Sequence, residues 1–345
     1  MLPNLGARIF TSMSALVLIA TVGQPWNAGA SSNADPVNYV PVEAIGCTGT
    51  NDCIAVGSGS PTTVAWSVSG RPWTVTQAPS LRVDGNTPLS ISCSQADCLL
   101  AGSNRGHLIT WYVDPRRHSI VKSAWRLAGN EVTSVNCSMS GKCELLSYAY
   151  NPINSIGYFA ETPDTGRHWT IQRRIASEEG WAWTGSITLM SCPSLTTCLV
   201  VGGSGGTINS LGIARTRNAG RSWSATINRT YQQATSLACV SDKTCYAMEQ
   251  MANSNPPFRL LGTSNFGLTW YRLGAPKSGY TGVVGCTTTG LCTTGAAAPN
   301  RKGWFSPRRP TYFADQKIVS EGVACGSRWC ASAIGSRLSL FSIPG

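Results

Sequence analysis

Short runs of alternating apolar and polar residues recur along this chain, and each ends at a cysteine. Two residues before that cysteine stands an apolar side chain: Ile45, Ile91, Val135, Met190, Leu237, Val284 and Val323. The residue between is small or short and polar: Gly46, Ser92, Asn136, Ser191, Ala238, Gly285 and Ala324. Alternation with period two predicts a strand with one apolar face, and its other face must fit somewhere crowded. A second cysteine follows within six residues, and then a strand-like run ending in glycine, such as Ile54–Gly57, Leu99–Gly102 or Leu199–Gly202. A third strand is expected over stretches such as Ile208–Thr216 and Arg259–Thr263, and a fourth begins at a tryptophan. First cysteines are separated by 46, 44, 55, 47, 47 and 39 residues. For β units, periods of this size point to propeller blades. The pattern predicts an all-β fold, a seven-bladed β-propeller of four-stranded blades, as a single domain over 31–345. No helix longer than a turn or two is expected.

The fourteen cysteines pair by proximity as Cys47/Cys53, Cys93/Cys98, Cys137/Cys143, Cys192/Cys198, Cys239/Cys245, Cys286/Cys292 and Cys325/Cys330. Zinc pairs sit closer together and need companion ligands. His107, His118 and His168 are the only histidines and form no ligand pair. The reading is therefore seven disulfides, each clipping the first hairpin of a unit, with no metal site and no cofactor. Export agrees. Arg8, the apolar run Ile9–Val22 and Ala28-Gly29-Ala30 make a signal-peptide pattern over 1–30, with cleavage near Ala30. The expected mature protein is secreted or cell-wall associated, without a transmembrane anchor.

The turn before the fourth strand is clearest at Thr162–Trp169, Thr216–Trp223 and Thr263–Trp270. These stretches resemble the Asp box, Ser/Thr-x-Asp-x-Gly-x-x-Trp, of the bacterial neuraminidase repeat, found in sialidases, xyloglucan-degrading enzymes and photosystem II assembly-factor-like propellers. The resemblance implies a turn between the third and fourth strands of a blade. Thr162, Asp164, Gly166 and Trp169 keep the pattern. Asn218, Gly220 and Trp223, then Asn265, Gly267 and Trp270, keep it with Asn for Asp. The Asx side chain would bond the turn, the glycine take positive φ and the tryptophan pack between blades, all structural roles. The first unit retains Gly70 and Trp73. The second runs through Asp114, Arg116 and Arg117 to Trp125, and the sixth has Ser306–Pro310 instead. The last unit stops after three strands, so Pro36–Pro41 is expected to supply its outer strand and close the ring.

Chain direction puts disulfide hairpins and box turns on one face and the variable loops on the other, the better place for binding. Two loops stand out: Tyr148–Asn154, with Tyr148, Tyr150 and Asn154, and the link Arg173–Trp183, with Glu178, Glu179, Trp181 and Trp183. Tyrosine, tryptophan, carboxylate and amide together suit a glycan or a protein hot spot. Glu178 and Glu179 are adjacent on one loop, which does not suit two-carboxylate hydrolysis. The nearest string to the sialidase Phe-Arg-Ile-Pro segment is Phe258–Leu261, which departs from it, and no catalytic residue is assigned. The net charge of +11 is spread in pairs such as Arg116/Arg117 and Arg308/Arg309. It admits an anionic cell-wall polymer as partner, whereas nucleic-acid motifs are absent from the sequence. The expected function is a non-catalytic binding or scaffold module for an extracellular protein or glycan. An extracellular glycoside hydrolase, sialidase-like, and a modulator of secreted proteases are the alternatives.

Overall fold

The computed structural model describes residues 42–57, 62–81, 89–129, 131–149, 156–175, 187–203, 210–251, 258–273, 284–286, 292–293, 304–305, 322–325, 329–334 and 337–342. All belong to the compact unit Asn38–Gly345. They are all-β, arranged as antiparallel sheets taken in chain order. The first blade pairs β1 (Val42–Cys47), β2 (Cys53–Gly57), β3 (Thr63–Ser67) and β4 (Thr74–Gln77). The second holds β5 (Ser90–Cys93), β6 (Cys98–Asn104), β7 (His107–Asp114) and β8 (Ser119–Lys122). The third holds β9 (Glu131–Cys137), β10 (Cys143–Ala149), β11 (Ile156–Thr162) and β12 (Ile171–Arg174). The fourth holds β13 (Ile187–Ser194), β14 (Thr197–Gly203), β15 (Leu211–Thr216) and β16 (Ser224–Asn228). The fifth holds β17 (Ala234–Cys239), β18 (Cys245–Gln250), β19 (Phe258–Thr263) and β20 (Tyr271–Arg272).

This corrects the expectation of seven four-stranded blades: the propeller has five. The remaining described strands form two three-stranded sheets, β21 (Gly285–Cys286), β22 (Cys292–Thr293), β23 (Trp304–Phe305) and β24 (Gly322–Cys325), β25 (Trp329–Ile334), β26 (Arg337–Ser342). The reason is physical. A cysteine pair specifies a hairpin, whereas a full blade also needs a turn that returns the third strand to a fourth. In the sixth unit that position carries Ser306–Pro310, which lies outside the described residues. The segment expected to close the ring, Pro36–Pro41, and the expected signal peptide, 1–30, lie outside the described residues.

All seven expected disulfides are present: Cys47–Cys53, Cys93–Cys98, Cys137–Cys143, Cys192–Cys198, Cys239–Cys245, Cys286–Cys292 and Cys325–Cys330. Most join residues directly opposite in the register of the first hairpin, as Cys137 and Cys143 do between β9 and β10 and Cys325 and Cys330 between β24 and β25. Two details correct the sequence reading. The second strand does not wait for its cysteine: β14 starts at Thr197, before Cys198, and β25 at Trp329, before Cys330. In the fourth blade the ladder shifts register between Ser191 and Ser194, so Cys192 and Cys198 are bridged across an irregular stretch. The second cysteines, Cys53, Cys98, Cys143, Cys198, Cys245, Cys292 and Cys330, are all fully buried. All but Cys330 belong to the core clusters between sheets, so they act as staples.

Such bonding belongs to an oxidising, extracytoplasmic environment. No helix among the described residues is long and apolar enough to cross a membrane. Replacing Cys137 and Cys143 together by serine is expected to lower stability by about 2 kcal/mol through the freed loop, read as a lower urea midpoint.

The core lies in slots between successive sheets. Leu99, Leu145, Ala160 and Trp169 fill the slot between the second and third blades. Leu146, Phe159, Met190 and Val200 fill the next, with Cys198 among them, and Leu199, Ile213, Leu261 and Trp270 the one after. The first blade packs Ala55 and Ala65 against Ala331 and Leu338 of the last sheet. At the inner rim each first strand is an edge, with donors to satisfy. Short polar side chains of the preceding blade satisfy them. Ser90 and Ser92 accept from the amides of Val135 and Cys137, both at 2.9 Å. Asn136 accepts from Cys192, Ser191 from Cys239 and Ser236 from Val284. The small polar position noted before the cysteine therefore stitches blade to blade.

Candidate functional site

Strand direction separates two faces with different chemistry. On the hairpin face, each Thr-x-Asx-x-Gly-x-x-Trp stretch makes a tight turn. Thr165 and Gly166, Ala219 and Gly220, Phe266 and Gly267 are consecutive left-handed residues. The threonine hydroxyl accepts the glycine amide and donates to the Asx oxygen: Gly166 to Thr162 at 2.9 Å, Thr162 to Asp164 at 3.0 Å. The same pattern holds at Thr216 and Thr263. Asx then accepts the amide four residues on, His168 to Asp164 at 2.7 Å. Burial opposes ionisation of Asp164. The bonds from the His168 ring and backbone and from Thr162 outweigh it, so its carboxyl sits below the usual range. The amide of Thr165 donates to Gly141 in the disulfide hairpin, as Ala219 does to Thr196 and Phe266 to Lys243. Trp169, Trp223 and Trp270 sit in the slots with the preceding blade. The Asx side chains are engaged in holding the turn.

Two blades reach the same end differently. In the first, the Asx position is Val68, and Asp52 of the hairpin supplies the carboxylate. Fully buried, it accepts from the Ser69 amide at 2.9 Å and from Arg116 of the second blade at 2.7 Å. In the second blade the turn Asp114–His118 carries no wedge tryptophan, and the His118 ring stacks on Trp66 at 5.1 Å. Trp125, aligned by sequence with the box tryptophans, is not in a slot. It follows β8 on the opposite face and is 48% exposed.

The hairpin ends surround a central cavity of about 540 Å³, walled by the first strands of all the sheets. Its lining residues are uncharged and include Ser92, Asn136 and Ser191, whose polar atoms hold neighbouring amides. Among the described residues no three His, Cys, Asp or Glu side chains gather as a metal site.

On the opposite face, β10 ends at Ala149, β11 begins at Ile156, β12 ends at Arg174 and β13 begins at Ile187. These four ends flank segments 150–155 and 176–186. Tyr148 is described: half-buried near the end of β10, its hydroxyl bonds the Glu131 carboxylate. Tyr150, Asn154, Glu178, Glu179, Trp181 and Trp183 lie outside the described residues. The link 123–129, which carries Trp125, is tied to this corner. Ser147 and Gln172 of the third blade both donate to the Ala128 carbonyl, at 3.0 and 3.5 Å. The sequence signal for Trp125 was its distance from a glycine: unlike the box tryptophans, it does not follow one by three residues.

No protein-family model matches the sequence, and no curated protein matches it. Solved structures do. Hydrazine synthase from Kuenenia stuttgartiensis is similar with a TM-score of 0.59 at 10% identity, over 93% of this chain and 99% of that chain. The GH74 xyloglucanase from Xanthomonas campestris gives 0.55 at 13% identity, over 88% of this chain and 52% of that one, so the chain spans about half the enzyme's length. The Dos1 propeller gives 0.55 at 9% identity, over 88% and 92%. At such identities the likeness shows the fold, a β-propeller, and nothing of activity.

Proposed function

We propose that this is a secreted, non-catalytic propeller that binds an extracellular protein or glycan on its loop face, at the corner built by the second, third and fourth blades. The exposed Trp125 carries the reading. A tryptophan nearly half exposed, on a link bonded to the rigid third blade, is the kind of anchor around which binding energy concentrates. Tyr148 and Glu131 stand at the same corner, and Tyr150, Asn154, Glu178, Glu179, Trp181 and Trp183 would come from the flanking segments. The hairpin face is the poorer candidate for recognition, because its Asx groups already hold turns. The described cavity lining offers a hydrolase neither a carboxylate pair nor an acid to protonate a leaving group.

Glycan-array and secretome capture followed by hydrogen exchange tests this. Bound ligand is expected to protect 123–129 and 150–186, and Trp125→Ala to weaken binding at least about tenfold with an unchanged melting temperature. Protection confined to the hairpin face would overturn the placement. Turnover of a captured glycan would overturn the non-catalytic reading.

A further inference from the structure

We propose that the hairpin face docks on an anionic lipid bilayer, leaving the loop face turned to solvent. The turn position after the left-handed glycine is arginine in three blades: Arg71, Arg167 and Arg221, all exposed. The second blade places Arg116 and Arg117 in its own turn, exposed likewise. The repeat thus sets guanidinium groups in an arc around one face. The acids of the described hairpins and turns offset the second blade's share only: Arg116 pairs with Asp52 at 2.7 Å and Arg117 with Asp114 at 3.6 Å, whereas Arg71, Arg167 and Arg221 are in no ion pair among the described residues. Asp114 also accepts the Arg117 amide, Asp164 holds its own turn and Asp97 is part-buried. Of these acids only Asp242 is exposed.

Charge alone would suit any polyanion, and a second observation decides between them. At the same turn position the fifth blade carries Leu268, 63% exposed. Leu195 at the fourth hairpin tip and Met139 in the third are exposed too. Large apolar side chains held in water among arginines are what an interfacial surface needs: guanidinium for lipid phosphate, apolar tips for the acyl boundary. A soluble polyanion would use the arginines and leave the leucines without a role. Backbone hydrogen bonds join successive hairpin tips. The Gly49 and Thr50 amides donate to Ser94 and Gln95, and Gln95 donates to Met139. The Lys142 ammonium reaches the Leu195 carbonyl at 3.2 Å.

The test uses the full oxidised protein with vesicles of phosphatidylcholine alone and of phosphatidylcholine with phosphatidylglycerol, read by co-sedimentation. Binding is expected only to the anionic vesicles, falling with added salt. Arg71, Arg117 and Arg221 together changed to alanine should weaken it by more than about tenfold. Leu195→Ser with Leu268→Ser should weaken it by at least about fivefold, while binding to soluble polyphosphate stays unchanged. All five positions are exposed, so an unchanged melting temperature confirms folding. Absence of vesicle binding overturns the proposal. So does a leucine variant that binds vesicles like the parent, since the face would then read polyanions rather than a bilayer.

Discussion

Gly220→Ala is expected to cost about 3 kcal/mol, or roughly 5–10 °C in melting temperature, although it adds one methyl group at the surface end of a blade. Two effects add. The residue has φ of +69°, where an L side chain costs roughly 1–2 kcal/mol. The new Cβ would stand 2.5 Å from Phe159 Cδ1 and 2.8 Å from Cε1. Phe159 cannot yield. It is fully buried, and Trp223 packs edge-on against it at 5.7 Å. The turn glycine is therefore also an inter-blade contact, as Gly166 is against Leu99 and Gly267 against Leu199. Gly106→Ala separates the two effects. That residue has φ of +70° but nothing within 4 Å of the added carbon, so only the backbone cost of roughly 1–2 kcal/mol should appear. Equal losses in the two variants would refute the packing argument.

The same residues show how far a sequence can be read. Period-two alternation and cysteine spacing were sufficient for the strands and the hairpin clips, because both are local. Even the shifted ladder around Cys192 and Cys198 leaves the pairing unchanged, since the short loop holds the two sulfurs within reach. The number of complete blades was not legible. It depends on whether a third strand finds a fourth, which cysteine spacing does not report. Trp125 misled for a related reason. A tryptophan wedges when a left-handed glycine three residues earlier aims it, and the turn Asp114–His118 has no such glycine. Asp52 could not be recognised as a substitute for a missing turn acid, since it lies on a different hairpin from Val68 and meets the Ser69 amide only after the blade folds. The arginine arc was visible as scattered charges. Its meaning needed the faces, because Arg71, Arg167 and Arg221 are far apart in the chain and equivalent only by turn position.

Glu144→Gln is expected to remove a steep loss of stability between about pH 4.5 and about pH 8. Glu144 of β10 and Glu161 of β11 are register partners, so both side chains leave the sheet on one side, the side on which Leu146 and Phe159 meet the fourth blade. Both are buried, 1% and 4% exposed. One cation serves the two: Lys142 Nζ lies 3.7 Å from Glu161. Glu144 accepts a long contact from the Asn136 amide, at 3.5 Å. Burial pushes its carboxyl up to about 8, and nearby Glu161 adds to the rise against Lys142 and Asn136. The unfolded chain loses this proton near the ordinary value of 4.5, so between there and about 8 the folded state holds a proton that the unfolded state has released. Stability then falls as pH rises, by up to about 1.4 kcal/mol per pH unit, and levels off once Glu144 ionises in the fold. Glutamine keeps the shape and has no proton to lose. At pH 5 the variant should match the parent, and at pH 9 it should exceed it by about 3–4 kcal/mol in urea unfolding with disulfides intact. Lys142→Met should act oppositely, leaving the buried Glu161 charge unpaired and lowering stability around neutral pH. Parallel pH profiles for parent and Glu144→Gln would show that the buried pair does not hold its proton, and the slot between the third and fourth blades would then have to admit water to both carboxylates.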